Sequence, residues 1–496
     1  MIFDILKELG YDLGTTLQNY YQYINTWNLW WGGYVPNFHK YQVTDINKEL
    51  MQVERHKMKM AKKVSEDWAN LLLNDKTLIN IEDEQSQVFL SGDKNEQNGG
   101  VLGLSKFWKN GNKTVEKEYA LGTAAFYLKL QNPKYGNGKL IADGVKICYI
   151  KDASQIIPLS WEDGEISECA VYSKITRKGK KYIYLQIFSV VDNGYKVENL
   201  YYINTDGESY KKTENLDGVA QWYILPAKPF FVLTPNIENN LCDVPLGLSI
   251  YANAIDQLEG CDAAYDNLYN DIILGRKKVF LSQDIIATSK TPVLDSEGKP
   301  KLDNNGMPLM EQRPLAGETI EQSMFVSIGT KQAGEAPLYE EYNPSLRVVE
   351  NKENIQLNLN LLSSKVGFGQ NKYRFDVQTM NTATEVKASG KDLTESVWKQ
   401  RIVINDILVE MTKSILIIGK EICSQNVDPK SKITIKFDDT MFSDEEAERM
   451  RDLQEVRDQI MQAWEYRVKW YGESEEEAKA MLKSSQNMGI TYGDES

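Results

Sequence analysis

From Gly247 to Lys278 the chain reads GLSIYANAIDQLEGCDAAYDNLYNDIILGRKK. Ile250, Ala254, Leu258, Ala263, Leu268 and Ile272 recur at helical spacing, which predicts one helix from Gly247 to about Leu274. At 1.5 Å per residue such a helix is about 42 Å long. Gly275 stops it, and Arg276, Lys277 and Lys278 follow at the negative end of the helix dipole. A helix is predicted again from Ser345 to about Val366. Its middle, Ile355-Gln356-Leu357-Asn358-Leu359-Asn360-Leu361, also alternates as a strand would, but it lacks turn residues and is flanked by Glu, Lys and Asn.

Between these two stretches lies a turn-rich module, residues 279–344. Within it Leu294-Asp295-Ser296-Glu297-Gly298-Lys299-Pro300 and Leu302-Asp303-Asn304-Asn305-Gly306-Met307-Pro308 repeat one turn pattern, so Asp295, Gly298, Asp303 and Gly306 predict a small protruding β element. Beyond the second helix comes a loop, Gly367 to Asn381, containing Lys372, Tyr373, Arg374 and Phe375. Thr382-x-x-Glu385 is a capping box that opens the longest helix, running to about Cys423 with Leu393, Val397, Ile404, Ile407, Met411, Ile415 and Ile418 on one stripe. That helix spans about 60 Å. Helices of such length cannot cover their own apolar faces within one small domain. Leu258, Leu268, Ile407, Met411 and Ile415 are therefore expected to meet neighbouring copies in a closed ring with a heterologous interface.

Outward from this centre the texture changes. The N-terminal segment is helical and aromatic. Trp27, Trp30 and Trp31 precede a Gly32-Gly33 stop, and their spacing reads as a buried helix face ahead of a ligand platform. A second helix is predicted from Val53 to Asn74, with Lys57, Lys59, Lys62 and Lys63 on its solvated side. Residues from about 80 to 235 alternate with period two and read as a mixed, largely antiparallel β region, with a hairpin turn at Asp192-Asn193-Gly194-Tyr195. The tail holds one strand, Ile433 to Phe437, and two helices with capping boxes at Ser443-x-x-Glu446 and Ser474-x-x-Glu477. Its 12 acidic and 7 basic side chains between Met441 and Lys483 make an acidic helical cap. The fold class expected is α+β.

Composition narrows the function. The chain has 496 residues, enough for several domains, with 57 Lys+Arg against 71 Asp+Glu and a net charge of −14. Such a chain does not grip nucleic acid by bulk charge, since counterion release needs clustered cations. No apolar run reaches the ~20 residues of a membrane span. Met1 to Gly10 lacks the apolar core of a secretion signal, and 5 scattered cysteines suit reduced thiols, so a soluble, intracellularly made protein is expected. There are only 2 histidines, His39 and His56, both read as structural. No zinc or P-loop motif occurs, and no cofactor or metal is expected. Asp438-Asp439 admits a metal pair or an acid/base pair but reads better as an exposed strand-to-helix corner before a cap. Nothing points to an enzyme.

Five landmarks carry a family resemblance: Met60 to Leu72 (MAKKVSEDWANLL), Pro245 to Tyr251 (PLGLSIY), Thr382 to Val386 (TATEV), Phe437 to Asp444 (FDDTMFSD) and Tyr471 to Ala478 (YGESEEEA). In this order they resemble the portal proteins, or head-to-tail connectors, of tailed phages and prophages of Gram-positive bacteria. The resemblance implies a wing over residues 1–245, stem helix 1 over 246–276 and a β-rich clip over 277–344. It further implies stem helix 2 over 345–366, a tunnel loop over 367–381, a wing spine helix and strand over 382–440, and a short helical crown over 441–496. By the same resemblance the assembly is a homo-oligomeric ring of twelve subunits at the portal vertex of a virion, built in the bacterial host cytoplasm. Double-stranded DNA passes through it without sequence specificity during packaging and ejection. Implied protein partners are the terminase packaging motor, major capsid protein, scaffold protein and head-tail adaptor, with no membrane. Lys372, Tyr373, Arg374 and Phe375 would face the DNA channel, Arg276, Lys277 and Lys278 would form a basic ring where stem meets clip, and the turns at Asp295 and Asp303 would dock the motor. A negative lumen suits sliding, because phosphates are repelled. Two alternatives stand beside this reading: another head-tail adaptor or tail ring protein, and a nuclease using Asp438 and Asp439 or a tyrosine-rich hydrolase.

Overall fold

The structure, a computed structural model, describes residues 2–44, 48–95, 97–136, 139–204, 210–214, 220–281, 288–296, 298–304, 306–314, 325–327, 339–370, 372–374, 383–438, 445–458 and 460–487. It is a mixed helix-and-sheet chain in two compact units. Unit 1 comprises Met1–Asn28, Lys63–Ala252 and Met380–Ser496, and unit 2 comprises Leu29–Lys62 and Asn253–Thr379.

The chain opens with α1 (Ile2–Glu8), α2 (Thr15–Gly32) and α3 (Pro36–His39), then an antiparallel hairpin of β1 (Lys40–Thr44) and β2 (Leu50–Glu54). Trp27 and Trp30 are buried, as a core face requires. The helix expected over Val53–Asn74 is shorter: α4 covers Met60–Leu72. Lys59, just before it, has φ +57°, a left-handed backbone that no helix continues through.

The stretch expected to be β from residue 80 starts with β3 (Leu78–Ile81) but then forms α5 (Glu84–Ser91), α6 (Gly100–Ser105) and α7 (Phe107–Leu121). Asp83 caps α5, accepting from the Ser86 N–H at 2.8 Å. From there the β reading holds, through β4 (Ala124–Gln131), β5 (Lys134–Gly136), β6 (Lys139–Ile141), β7 (Gly144–Ile150), β8 (Ile156–Glu162), β9 (Glu165–Arg177), β10 (Lys180–Val191), β11 (Gly194–Asn204), β12 (Tyr210–Thr213), β13 (Trp222–Leu225) and β14 (Phe230–Leu233). They build an antiparallel sheet in the order β12-β11-β10-β9-β8 with β13 also on β11, and a second sheet β14-β4-β7. The expected hairpin turn joins β10 to β11, with Val191 paired to Gly194.

Residues 247–251 do not join the helix predicted there. Gly122 sits at φ +79°, and a Cβ on it would come 2.1 Å from the Gly247 carbonyl oxygen. The Gly247 N–H donates to Thr123 Oγ1 at 3.0 Å, the Tyr20 hydroxyl donates to the Gly247 carbonyl at 3.0 Å, and the Ile250 N–H donates to the Tyr119 carbonyl at 3.0 Å. These tertiary bonds consume the backbone groups a helix would need. The helix α8 begins only at Ile255 and ends at Leu274.

Unit 2 continues through β15 (Lys278–Leu281), β16 (Thr288–Pro292), β17 (Met310–Pro314), β18 (Phe325–Ser327) and β19 (Tyr339–Tyr342) to α9 (Val348–Lys365), which is helical as expected. In unit 1 the chain ends with α10 (Ala383–Glu421), β20 (Ile433–Lys436), α11 (Glu445–Arg457), α12 (Ala463–Tyr471) and α13 (Glu475–Asn487). The expected box at Ser474 caps α13: its N–H donates to Glu477 Oε2 at 3.0 Å, and the Glu477 N–H donates back to Ser474 Oγ at 3.3 Å. The Ser474 hydroxyl, donating to Glu477 Oε2 at 2.8 Å, and then the Ser474 N–H hold the Glu477 carboxyl below the usual range. Thr382 and Ser443, the caps expected for α10 and α11, lie outside the described residues.

One expectation is overturned by packing. α10 lies on β14, β20, β7 and α5 of its own unit, and Val397, Leu408, Met411, Ile415 and Ile418 are fully buried there. Leu258 of α8 is likewise buried within the chain. Met411, Ile415 and Leu258 are thus core residues and not interface residues, because their apolar faces are already covered. Leu268 and Ile407 remain half-buried.

Candidate functional site

The predicted functional segments fall mainly in unit 2, which is organised around α8 and α9. The two helices run antiparallel, with residue 260 beside residue 358 and Asp271 beside Arg347. Gly260 permits the close approach, since a Cβ there would lie 2.4 Å from Asn358 Oδ1. At the other end Asp271 accepts from the Arg347 guanidinium at 2.5 Å, from its N–H at 3.1 Å and from Asn351 at 3.1 Å. The Arg347 bond holds the Asp271 carboxyl below its usual range.

α9 carries apolar side chains on two sides. Ile355, Leu359 and Leu362 are buried, whereas Leu357 is 59% and Leu361 49% exposed. Val349, two turns before Leu357, is exposed as well. The alternation that made this sequence ambiguous is, on a helix, an apolar stripe on each of two faces. At the end of α8, Ile272, Ile273 and Leu274 are also exposed.

Between the helices, β15 pairs antiparallel with β19 and parallel with β18, so the module's two ends meet at its base. β16 and β17 form a second ribbon extended by the two repeated turns, with bridges Leu294–Pro300 and Leu302–Pro308. Each turn is built alike. Asp295 Oδ1 accepts from the Lys299 N–H and Asp303 Oδ1 from the Met307 N–H, both at 2.9 Å, and Gly298 and Gly306 take φ of +79° and +76°. Leu302 and Met307 stand exposed on the second turn.

Of the basic run, Arg276 and Lys277 are exposed and Lys278 opens β15. Lys277 pairs with Glu341 at 2.5 Å, so one of the three charges is neutralised inside the module. The loop after α9 is less detached than expected. Phe368 is buried, Ser363 Oγ donates to the Gly369 carbonyl at 2.7 Å, and Gln356 donates to the Tyr373 carbonyl at 2.8 Å. The Lys372 ammonium lies 5.7 Å from the Phe368 ring centre. Lys372 and Arg374 are exposed; Phe375 lies outside the described residues.

Both histidines are engaged on α8. His39, fully buried, accepts the Val35 N–H on Nδ1 at 2.8 Å, which leaves Nε2 to donate to Asp262 Oδ2 at 3.0 Å. His56 bonds Asp266 through Nδ1 at 3.0 Å and stacks on Tyr269. In unit 1, Asp438 accepts from Asn74 at 3.1 Å, and its carbonyl accepts from Arg401 at 2.6 Å. These are ties within the fold; Asp439 lies outside the described residues. Burial drives the Glu118 carboxyl well above its usual range, and its Oε2 has no partner among the described residues. No group of three metal-ligating side chains occurs among the described residues. Nor, among them, is any helix long and apolar enough to cross a membrane.

No protein-family model matches the chain, and no curated protein matches it. Among solved structures it is similar to a chain of the neck of a native GTA particle computed with C12 symmetry. The identity is 10% and the TM-score 0.30, over 82% of this chain and 87% of that one. A likeness this slight assigns neither fold nor role.

The sequence had marked Leu357 and Leu361 only as part of an ambiguous alternation. Their signal was an apolar pair one turn apart on the polar side of a helix. Lys129 and Lys146 gave no sequence signal, because strand pairing alone brings them together.

Proposed function

We propose that this chain is a structural subunit of a phage particle, a portal protein that closes into a ring at one capsid vertex and conducts double-stranded DNA during packaging and ejection. The observation that supports the reading best is the two-faced helix α9. Its inner stripe packs within the chain, and its outer stripe, Leu357 and Leu361, is left exposed on a helix that brackets a β module with α8. A second copy of the same chain would cover that stripe, and repetition of a heterologous contact closes a ring. In this reading the module between α8 and α9 meets the packaging motor and later the head-tail adaptor, and Lys372 and Arg374 face the channel. The capsid and scaffold proteins are the remaining partners, and the protein carries out no chemistry of its own.

Electron microscopy of the purified protein tests this, with light scattering for mass. Rings with a central channel are expected for the wild type. Leu357→Glu with Leu361→Glu should give folded, dispersed chains, since both side chains are exposed in the single subunit. A wild-type protein that stays monomeric at micromolar concentration refutes the reading.

A further inference from the structure

Unit 1 contains a cleft of about 670 Å³ lined by Lys129, Gln131, Lys134, Lys146, Cys148 and Tyr223, with Tyr184 and Asn199 at its floor. Its formation follows from strand register. Lys129 and Lys146 are direct partners across β4 and β7, as are Tyr127 and Cys148 two positions along, so all four side chains leave the same face. That face meets the side of the larger sheet on which Tyr184 pairs with Tyr201 and Val197 with Tyr223.

Two features of this cleft bear on what it could hold. Like charges directly opposite on a sheet repel, and strands normally avoid them. Lys129, Lys146 and the nearby Lys134 nonetheless have no carboxylate partner among the described residues; Lys129 instead lies 5.3 Å from the Tyr184 ring centre. The second feature is Tyr223, whose ring is buried and whose hydroxyl, open to the cleft, has no hydrogen-bond partner among the described residues. Its neighbours are satisfied: Asn199 Oδ1 accepts from the Tyr184 hydroxyl at 2.6 Å and from Gln186 at 3.0 Å, and Asn199 Nδ2 donates to the Ala220 carbonyl at 3.0 Å. The floor is therefore fixed, and one donor on it is left over.

The geometry points to a binding site for the terminal phosphate of a small phosphorylated ligand, held by Lys129, Lys134 and Lys146 at the mouth and by the Tyr223 hydroxyl within. A dianion offsets the repulsion of the lysines and accepts the spare hydroxyl proton in a charge-assisted bond. Burial raises the Tyr223 and Tyr184 hydroxyls above their usual range, so both stay protonated at neutral pH. A diester phosphate inside a duplex sits on a convex surface and fits a concave cleft poorly, whereas a terminal phosphate can enter it. This inference stands apart from the ring reading, since every residue in it belongs to one subunit.

The probe is inorganic pyrophosphate, titrated calorimetrically into the full chain in a buffer free of phosphate and sulfate. Wild type should bind one pyrophosphate per chain. Lys129→Gln with Lys146→Gln should weaken binding about 100-fold, and Tyr223→Phe about 10-fold, as expected for losing charged and single hydrogen bonds respectively. Without ligand, Lys146→Gln should melt no lower than wild type, because it removes a repulsion. Cys148 is partly exposed on the cleft wall, so its maleimide labelling, read by peptide mass, should slow when pyrophosphate is present while that of Cys242 does not. Absence of binding at millimolar pyrophosphate, or equal binding by wild type and the single variant Lys146→Gln, overturns the proposal. So does equal competition from a blunt duplex lacking terminal phosphates.

Discussion

Replacing Asp262 by alanine should detach the hairpin β1–β2 from α8. Asp262 is 4% exposed and accepts two bonds, from His39 Nε2 at 3.0 Å and from the Met58 N–H at 2.7 Å. Both donors belong to the stretch Leu29–Lys62, which unit 2 draws from far away in the sequence. The alanine variant loses both bonds to the carboxylate and leaves the fully buried His39 N–H without an acceptor. Bonds to charged groups contribute about 1.5–3 kcal/mol each, so the loss of two should come to roughly 3–6 kcal/mol. Asp262→Asn keeps one acceptor oxygen and should cost about half of that. Hydrogen exchange read on peptides covering residues 35–58 measures the opening directly. The alanine variant should exchange there about two to four orders of magnitude faster than wild type, at about 1.4 kcal/mol per factor of ten. If protection in residues 35–58 changes by less than threefold, the idea that Asp262 anchors the hairpin is wrong.

Ile415→Asp should abolish soluble folded protein, because it buries a charge in a fully covered site at a cost of several kcal/mol; recovery of a folded variant with intact near-ultraviolet dichroism would contradict the packing of α10. Gly122→Ala should destabilise unit 1 by roughly 2–5 kcal/mol, since its Cβ meets the Gly247 oxygen at 2.1 Å and the backbone is left-handed; a melting temperature equal to wild type would argue against that close approach. Lys372→Glu with Arg374→Glu should leave rings intact but impair DNA packaging or retention, because like charges would face the duplex; particles that package and retain full-length DNA would remove these residues from the channel.

What the sequence disclosed and what it hid follow from the range of the interactions involved. The two turns at Asp295 and Asp303 were legible because each is closed by bonds spanning four residues. The hairpin at Asp192 and the box at Ser474 were legible for the same reason. The helix start at Ile255 was not, because the Gly247 backbone is held by Thr123 and Tyr20, partners that no local pattern announces. Lys59 gave no sign of its left-handed backbone, since lysine has no preference for one. The stripe of α10 was read correctly as apolar but assigned the wrong cover. Periodicity tells which face is buried and cannot tell whether the chain's own strands or another copy buries it. The cleft at Lys129 and Lys146 depends on strand pairing, which lies further still from sequence spacing.

The two-segment make-up of unit 2 has a consequence for biosynthesis. His39 and Asp262 are 223 positions apart, and at 5–20 residues per second a ribosome takes roughly 10–45 s to cover that distance. For most of this interval Leu29–Lys62 has been made while α8 has not. The hairpin, with Leu50 and Met51 exposed even in the finished chain, must wait as an unpaired two-stranded ribbon, a form that is marginal on its own in water. Closing so long a loop adds little to the final stability but delays the contact. The early segment is therefore where a chaperone would be needed first, and truncated chains ending before residue 253 would display it permanently.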